Sequence, residues 1–138
     1  MGRYIAKADV DSRWGEGNII VWSNRDNDAA TADTGAIDTA IAAAEEWVDA
    51  RFRGGPYKVP LVGTEQAIPY LVQEWCATYA GIKLYRGRMR RDPGMLQNLS
   101  EVEQELRAEI GGMVSGTGGE LALERARSSM PMGPEVVL

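Results

Sequence analysis

Histidine is absent from these 138 residues, and cysteine and phenylalanine occur once each. Without His, the chain lacks the side chain that most often serves general acid–base catalysis and metal ligation near neutral pH. A lone cysteine, Cys76, excludes a disulfide framework within the chain and fits a reducing compartment. Set in an apolar helical pattern, it reads as a small core residue. No run approaches the ~20 apolar residues that a membrane-spanning helix requires. The opening Met1-Gly2-Arg3-Tyr4-Ile5-Ala6-Lys7 lacks the apolar centre of a signal peptide. Met1-Gly2 begins like a myristoylation signal, but Ala6 stands where Ser or Thr is needed. The expectation is a soluble intracellular protein with no membrane contact.

Acidic residues outnumber basic ones, 20 to 15, giving a net charge of -5. That balance favours solubility and argues against a general nucleic-acid binder. The length suits one modest domain.

Two long amphipathic patterns dominate. Ile37, Ala40, Ile41, Ala44, Trp47, Val48 and Phe52 recur at helical spacing. Thr34 is the expected N-cap, with Asp38 in the first turn. Glu65 to Arg86 reads as a second helix, with Pro69 in its first turn. Its apolar residues cover more than half the circumference, which marks a central helix. Between them lies the joint Arg53-Gly54-Gly55-Pro56-Tyr57-Lys58-Val59-Pro60-Leu61, where Gly-Gly-Pro stops one helix and Pro60 holds the chain extended.

Leu99, Val102, Leu106 and Ile110 give a third stripe, ended by Gly111-Gly112. Its start is open between Met95 and a capping box at Ser100-Glu101-Val102-Glu103. Near the N-terminus, Asp9 to Trp14 suits a short helix closed by Gly15, followed by a small apolar cluster of Ile19, Ile20 and Trp22. Gly116-Thr117-Gly118-Gly119 forms a hinge, and Glu120 to Arg125 beyond it suits a strand or a helical turn. The fold class expected is mostly α: a small bundle of three to four helices over residues 1–114, with an extended arm over 115–138 that has room for a short strand.

Sites for chemistry are scarce. Asp26-x-Asp28 opens like a calcium loop, but Ala30, Thr31 and Ile37 break the ligand pattern, so a surface loop is the expectation and no metal or cofactor is assigned. Glu45, Glu46, Asp49, Glu101, Glu103, Glu105 and Glu109 are expected on outer helix faces. No pair of them is set apart in an apolar environment, and no base stands near Ser128, Ser129 or Thr117. No catalytic residue is assigned, and the chain is not expected to be an enzyme. Lys83, Arg86, Arg88, Arg90 and Arg91 form the basic cluster. It can touch phosphate or an acidic partner, or simply cap and solvate a helix C-terminus.

The order of elements resembles a phage family. Ala8-Asp9-Val10, Arg13-Trp14-Gly15-Glu16 and Arg25-Asp26-Asn27-Asp28 resemble its start. Ile37-Asp38-x-Ala40-Ile41, Trp47-Val48-Asp49, Arg51-Phe52 and Tyr57-x-Val59-Pro60-Leu61 continue the likeness, as do Ala80-Gly81-Ile82-x-Leu84-Tyr85-Arg86 and Leu106-x-x-x-Ile110-x-Gly112. The family is that of small head–tail connector (head completion, adaptor) proteins of Mu-like tailed phages and prophages, and the resemblance covers about residues 4–114. It implies a structural protein of the virion neck, assembled in the host cytoplasm. The implied partners are the portal protein, neighbouring copies in a dodecameric ring, and a tail terminator or other neck or tail protein. Genomic DNA would pass through the lumen without sequence-specific binding, and the ring would help tail attachment and genome retention.

On this reading, Arg86, Arg88, Arg90 and Arg91 face the portal or a neighbouring subunit. Leu121, Leu123, Met130, Met132, Val136, Val137 and Leu138 are expected to be buried only in the assembly, so that deletion of 116–138 leaves the domain folded. The alternative is a small phage- or prophage-encoded DNA-binding regulator using the 83–91 cluster.

Overall fold

The computed structural model describes residues 2–24, 31–64, 67–88, 91–116 and 121–125. Among them run five helices: α1 Lys7–Trp14, α2 Glu16–Ser23, α3 Thr34–Phe52, α4 Tyr70–Arg86 and α5 Pro93–Ser115. The fold is the expected small helical bundle, with the first apolar clusters forming two short helices.

α1 starts where the Asp9 carboxylate accepts the Ala6 N–H at 2.8 Å, satisfying one of the donors that a helix start leaves unpaired. It ends at Gly15, whose φ of +96° lets the chain turn directly into α2. α1 is pinned across α4. The Trp14 indole N–H donates to the Ala77 carbonyl at 3.1 Å, and the Arg13 Nε–H to the Thr78 hydroxyl at 2.9 Å.

α3 buries Ile37, Ala40, Ile41, Ala44, Val48 and Phe52. Its N-cap is Asp33 rather than Thr34, one residue earlier than expected, with the carboxylate accepting the Ala36 N–H at 3.1 Å. α4 is the central helix, with an unbroken buried run from Trp75 to Ile82. It starts at Tyr70, not Glu65, with Pro69 as its extended N-cap at ψ 144°. Proline lacks the N–H that an earlier turn would need from it, so the helix begins after it.

α5 begins at Pro93 behind the N-cap Asp92, whose carboxylate accepts the Met95 N–H at 2.9 Å. The Ser100 capping box therefore lies in mid-helix. The helix also runs through Gly111-Gly112 to Ser115 and stops at left-handed Gly116. Two glycines cost about 1 kcal/mol each in a helix interior. Met113 and Val114, half-buried against the core, offset that cost by packing.

The joint after α3 is a folded element. Tyr57 and Leu61 are buried, and Val59–Pro60 is a cis peptide. Residues 121–125 lie antiparallel beside the joint, with bridges pairing Tyr57 with Arg125 and Gly63 with Leu123. The Lys58 N–H donates to the Glu124 carbonyl, the Glu124 N–H to the Val62 carbonyl and the Thr64 N–H to the Ala122 carbonyl, at 2.7 to 3.0 Å. No helix among the described residues is long and apolar enough to cross a membrane.

Candidate partner interface

The bundle presents two different ends. α3 and α4 are antiparallel neighbours, and α5 starts beside the end of α4, where the Asp92 N–H meets the Tyr85 hydroxyl at 2.8 Å. The start of α3, the end of α4 and the start of α5 therefore share one end, which carries the basic cluster. The end of α3, the joint, the end of α5 and residues 121–125 share the other. The 23 residues of α5 separate the ends by about 35 Å at 1.5 Å per residue.

At the basic end, the sequence-predicted cations behave differently from one another. Arg86 is used within the chain: Nη1 meets Glu103 Oε1 at 2.6 Å, and Nη2 reaches the Ser100 hydroxyl at 3.5 Å. Burial alone would raise the Glu103 carboxyl, but the hydrogen bond and charge of Arg86, backed by Arg107 at 3.3 Å, hold it below the usual carboxylate range. Arg86 thus staples α4 to α5. Arg88 lies over the Tyr85 ring, 5.3 Å from its centroid. Arg91 is exposed and donates to the Arg86 carbonyl at 3.2 Å. Lys83 is exposed. Arg90 lies outside the described residues.

Beside Lys83 opens a groove of about 510 Å³ between α2, the first half of α3 and the end of α4. Trp22, Ala40 and Leu84 form its buried floor. Gly35, Ala36, Thr39 and Ala43 form the α3 wall, and Lys83 and Gly87 the rim.

At the joint end, Leu121 and Leu123 are 9 % and 3 % exposed and belong to the chain's own core. The expectation that they are buried only in an assembly is corrected here. Backbone pairing with the joint and the Tyr57 hydroxyl, which accepts the Leu121 N–H at 3.0 Å, fold this part of the arm onto the bundle. Met130, Met132, Val136, Val137 and Leu138 lie outside the described residues, as does the Asp26-x-Asp28 loop.

A second correction concerns Glu45 and Asp49, expected on an outer face. Both are buried, at 2 % and 1 % exposure. Glu45 Oε1 accepts the Arg3 N–H at 3.0 Å, and Oε2 accepts those of Tyr4 and Ile5 at 2.7 and 3.1 Å. Asp49 accepts the Tyr4 hydroxyl at 2.7 Å and pairs with Arg3 Nη1 at 2.9 Å. The same hydroxyl accepts the Leu61 N–H at 2.8 Å. Burial, then the Asp49 hydrogen bond, pushes the Tyr4 phenol well above its ordinary value, so it stays a donor. These carboxylates are saturated with donors and tie the N-terminal segment, α3 and the joint together. Their i, i+4 spacing beside Ile41 and Val48 was the signal available in the sequence; it needed inward-facing partners to be read.

Cys76 is fully buried, and burial pushes its thiol far up, which leaves it inert. Among the described residues, no group of three His, Cys, Asp or Glu side chains is placed to hold a metal ion.

No curated protein matches the chain. The family profile described as Bacteriophage Mu, Gp36 matches residues 4–129, beyond the expected limit near 114 and into the segment that packs on the joint. The chain belongs to the Bacteriophage Mu Gp36 family, and thus to the structural and assembly proteins of Mu-type phages.

Proposed function

We propose that the chain is the head–tail adaptor of its phage, a subunit of a ring between portal and tail in the virion neck. The observation that carries this reading is the two-ended bundle. A cationic, grooved end and an arm-bearing end are held about 35 Å apart by one continuous helix, α5. A subunit of that form can meet a different neighbour at each end, as an adaptor must, and can close a ring through heterologous contacts. The role asks for no chemistry, in keeping with carboxylates saturated by structural donors. An acidic chain, with a net charge of -5, also suits a lumen through which DNA slides, because unpaired cations would grip phosphates.

In this reading, Arg88, Arg90 and Arg91 face the portal or the adjacent subunit, while Arg86 works within the subunit. The arm beyond Arg125 supplies the remaining assembly contacts. Sedimentation of the protein with purified portal-containing heads tests the proposal: stoichiometric ring-like occupancy is expected. Failure to associate, together with salt-sensitive binding of the purified protein to duplex DNA, would replace it with the regulator.

A further inference from the structure

The groove at the basic end has the dimensions of a binding site and lies at the opposite end of the bundle from residues 121–125. Its volume of about 510 Å³ falls in the range of sites that seat several side chains. Trp22, Ala40 and Leu84 supply an apolar floor, and Gly35, Ala36 and Ala43 keep the α3 wall low enough for a peptide backbone to approach. Lys83 on the rim is exposed and is the groove's cation, while the groove's one carboxylate, Asp33, caps α3 by accepting the Ala36 N–H.

The chain contains one segment with complementary chemistry. Residues 126–138 carry Met130, Met132, Val136, Val137 and Leu138 as apolar anchors and Glu135 as their carboxylate. The segment follows Arg125, which is paired with Tyr57 at the joint end. Fully extended, thirteen residues reach roughly 45 Å. We propose that the groove receives residues 126–138 of a second copy, with Val136, Val137 and Leu138 over the Trp22–Leu84 floor and Glu135 beside Lys83.

A second copy is favoured over the same chain by the placement of the two ends. Copies set head to tail bring the arm of one to the groove of the next, whereas an arm serving its own groove must double back along the bundle. Repeated around a ring, the contact is heterologous and closes on itself. The inference rests on the adaptor reading for its ring, but the groove contact can be tested separately.

The test mixes full-length Thr39→Cys with full-length Val137→Cys under mild oxidation, both purified and in particles assembled from the two. Each chain then has one reactive thiol, because Cys76 is fully buried. A disulfide-linked heterodimer is expected, exceeding a Gln104→Cys plus Val137→Cys control by roughly tenfold or more through effective concentration. Adding Lys83→Glu to the groove chain should cut the yield several-fold, and adding Glu135→Lys to the arm chain should restore it.

Yields equal to the control, in purified protein and in particles alike, overturn the proposal. So does a single chain carrying both cysteines that closes only on itself while the mixture yields nothing, which would assign the groove to its own arm. Groove protection in particles without cross-linking to Val137→Cys would assign it to a foreign partner and overturns the proposal as well. Association with portal-containing heads that survives failed cross-linking removes the groove contact alone. Cross-linking without such association removes the adaptor reading alone.

Discussion

Replacing Glu45 with Gln changes one atom in size and almost nothing in shape, yet it should be among the costliest polar substitutions in this chain. A carboxylate offers only acceptors, and here three backbone donors converge on it from Arg3, Tyr4 and Ile5. An amide offers one acceptor oxygen and one donor nitrogen. In its better orientation the oxygen keeps the Tyr4 and Ile5 N–H groups, and the NH₂ then confronts the Arg3 N–H. One charge-assisted hydrogen bond is lost, at about 1.5–3 kcal/mol, and the two that remain fall to neutral strength, at about 1 kcal/mol each. The expected loss is roughly 2.5–7 kcal/mol, a large share of the total stability of an ordinary domain, about 5–15 kcal/mol. Equilibrium denaturation followed by circular dichroism measures it, with Glu46→Gln as control, because the Glu46 side chain is 59 % exposed. A Glu45→Gln variant within about 0.5 kcal/mol of the parent would refute the claim that this carboxylate anchors the N-terminal segment.

Deleting 126–138 should leave the denaturation midpoint nearly unchanged, whereas deleting 116–138 also removes Leu121 and Leu123 from the core, a loss of roughly 3–6 kcal/mol; equal midpoints would contradict the packing of 121–125. Two Gly→Ala changes in helices should have opposite signs. Gly111→Ala has open space around its new Cβ and should gain about 0.5–1 kcal/mol. Gly81→Ala would place its Cβ on the Trp14 indole and should lose about 1–3 kcal/mol, with a change in tryptophan fluorescence; stabilisation by both would show that Trp14 does not pack there. Arg86→Gln tests the α4–α5 staple through pH. Glu103 has a lowered folded-state pKa, so its contribution is complete above the usual glutamate value of about 4.3 and is lost as pH falls through its folded value. The stability gap between parent and variant, about 1–3 kcal/mol near neutrality, should narrow below that range; a pH-independent gap would mean that Arg86 acts by packing alone.

The long-period features were legible because they are local. The stripes of α3 and α5 and the wide apolar face of α4 follow from 3.6-residue spacing, and Gly-Gly-Pro announces the joint. What the sequence concealed depends on partners far along the chain. Glu45 and Asp49 look like outer carboxylates until Tyr4, 41 to 45 positions away, turns them inward. Arg86 looks like part of a free basic turn until Glu103, 17 positions on, engages it. Leu121 and Leu123 look like loose anchors because the strand-like joint that receives them lies some 60 residues upstream. Glycine misled in the other direction: Gly111-Gly112 reads as a stop, but contacts made by Met113 and Val114 carry the helix past it.

The same long-range contacts give the two ends of the bundle a fixed relation. Arg3, Tyr4 and Ile5 sit on Glu45, and the Tyr4 hydroxyl passes the connection to the joint through Leu61. The joint holds the root of the arm through Tyr57 and Leu121. At the far end, Arg86 and Glu103 lock α4 to α5. Residues 121–125 are therefore held in a place set by α3 and the joint, and the groove near the start of α3 is referenced to the same helix. A subunit built this way fixes the position of its neighbour at both ends with the stability of its own core. That is the mechanical requirement for a ring whose copies repeat one heterologous contact until it closes, and it needs no catalytic group.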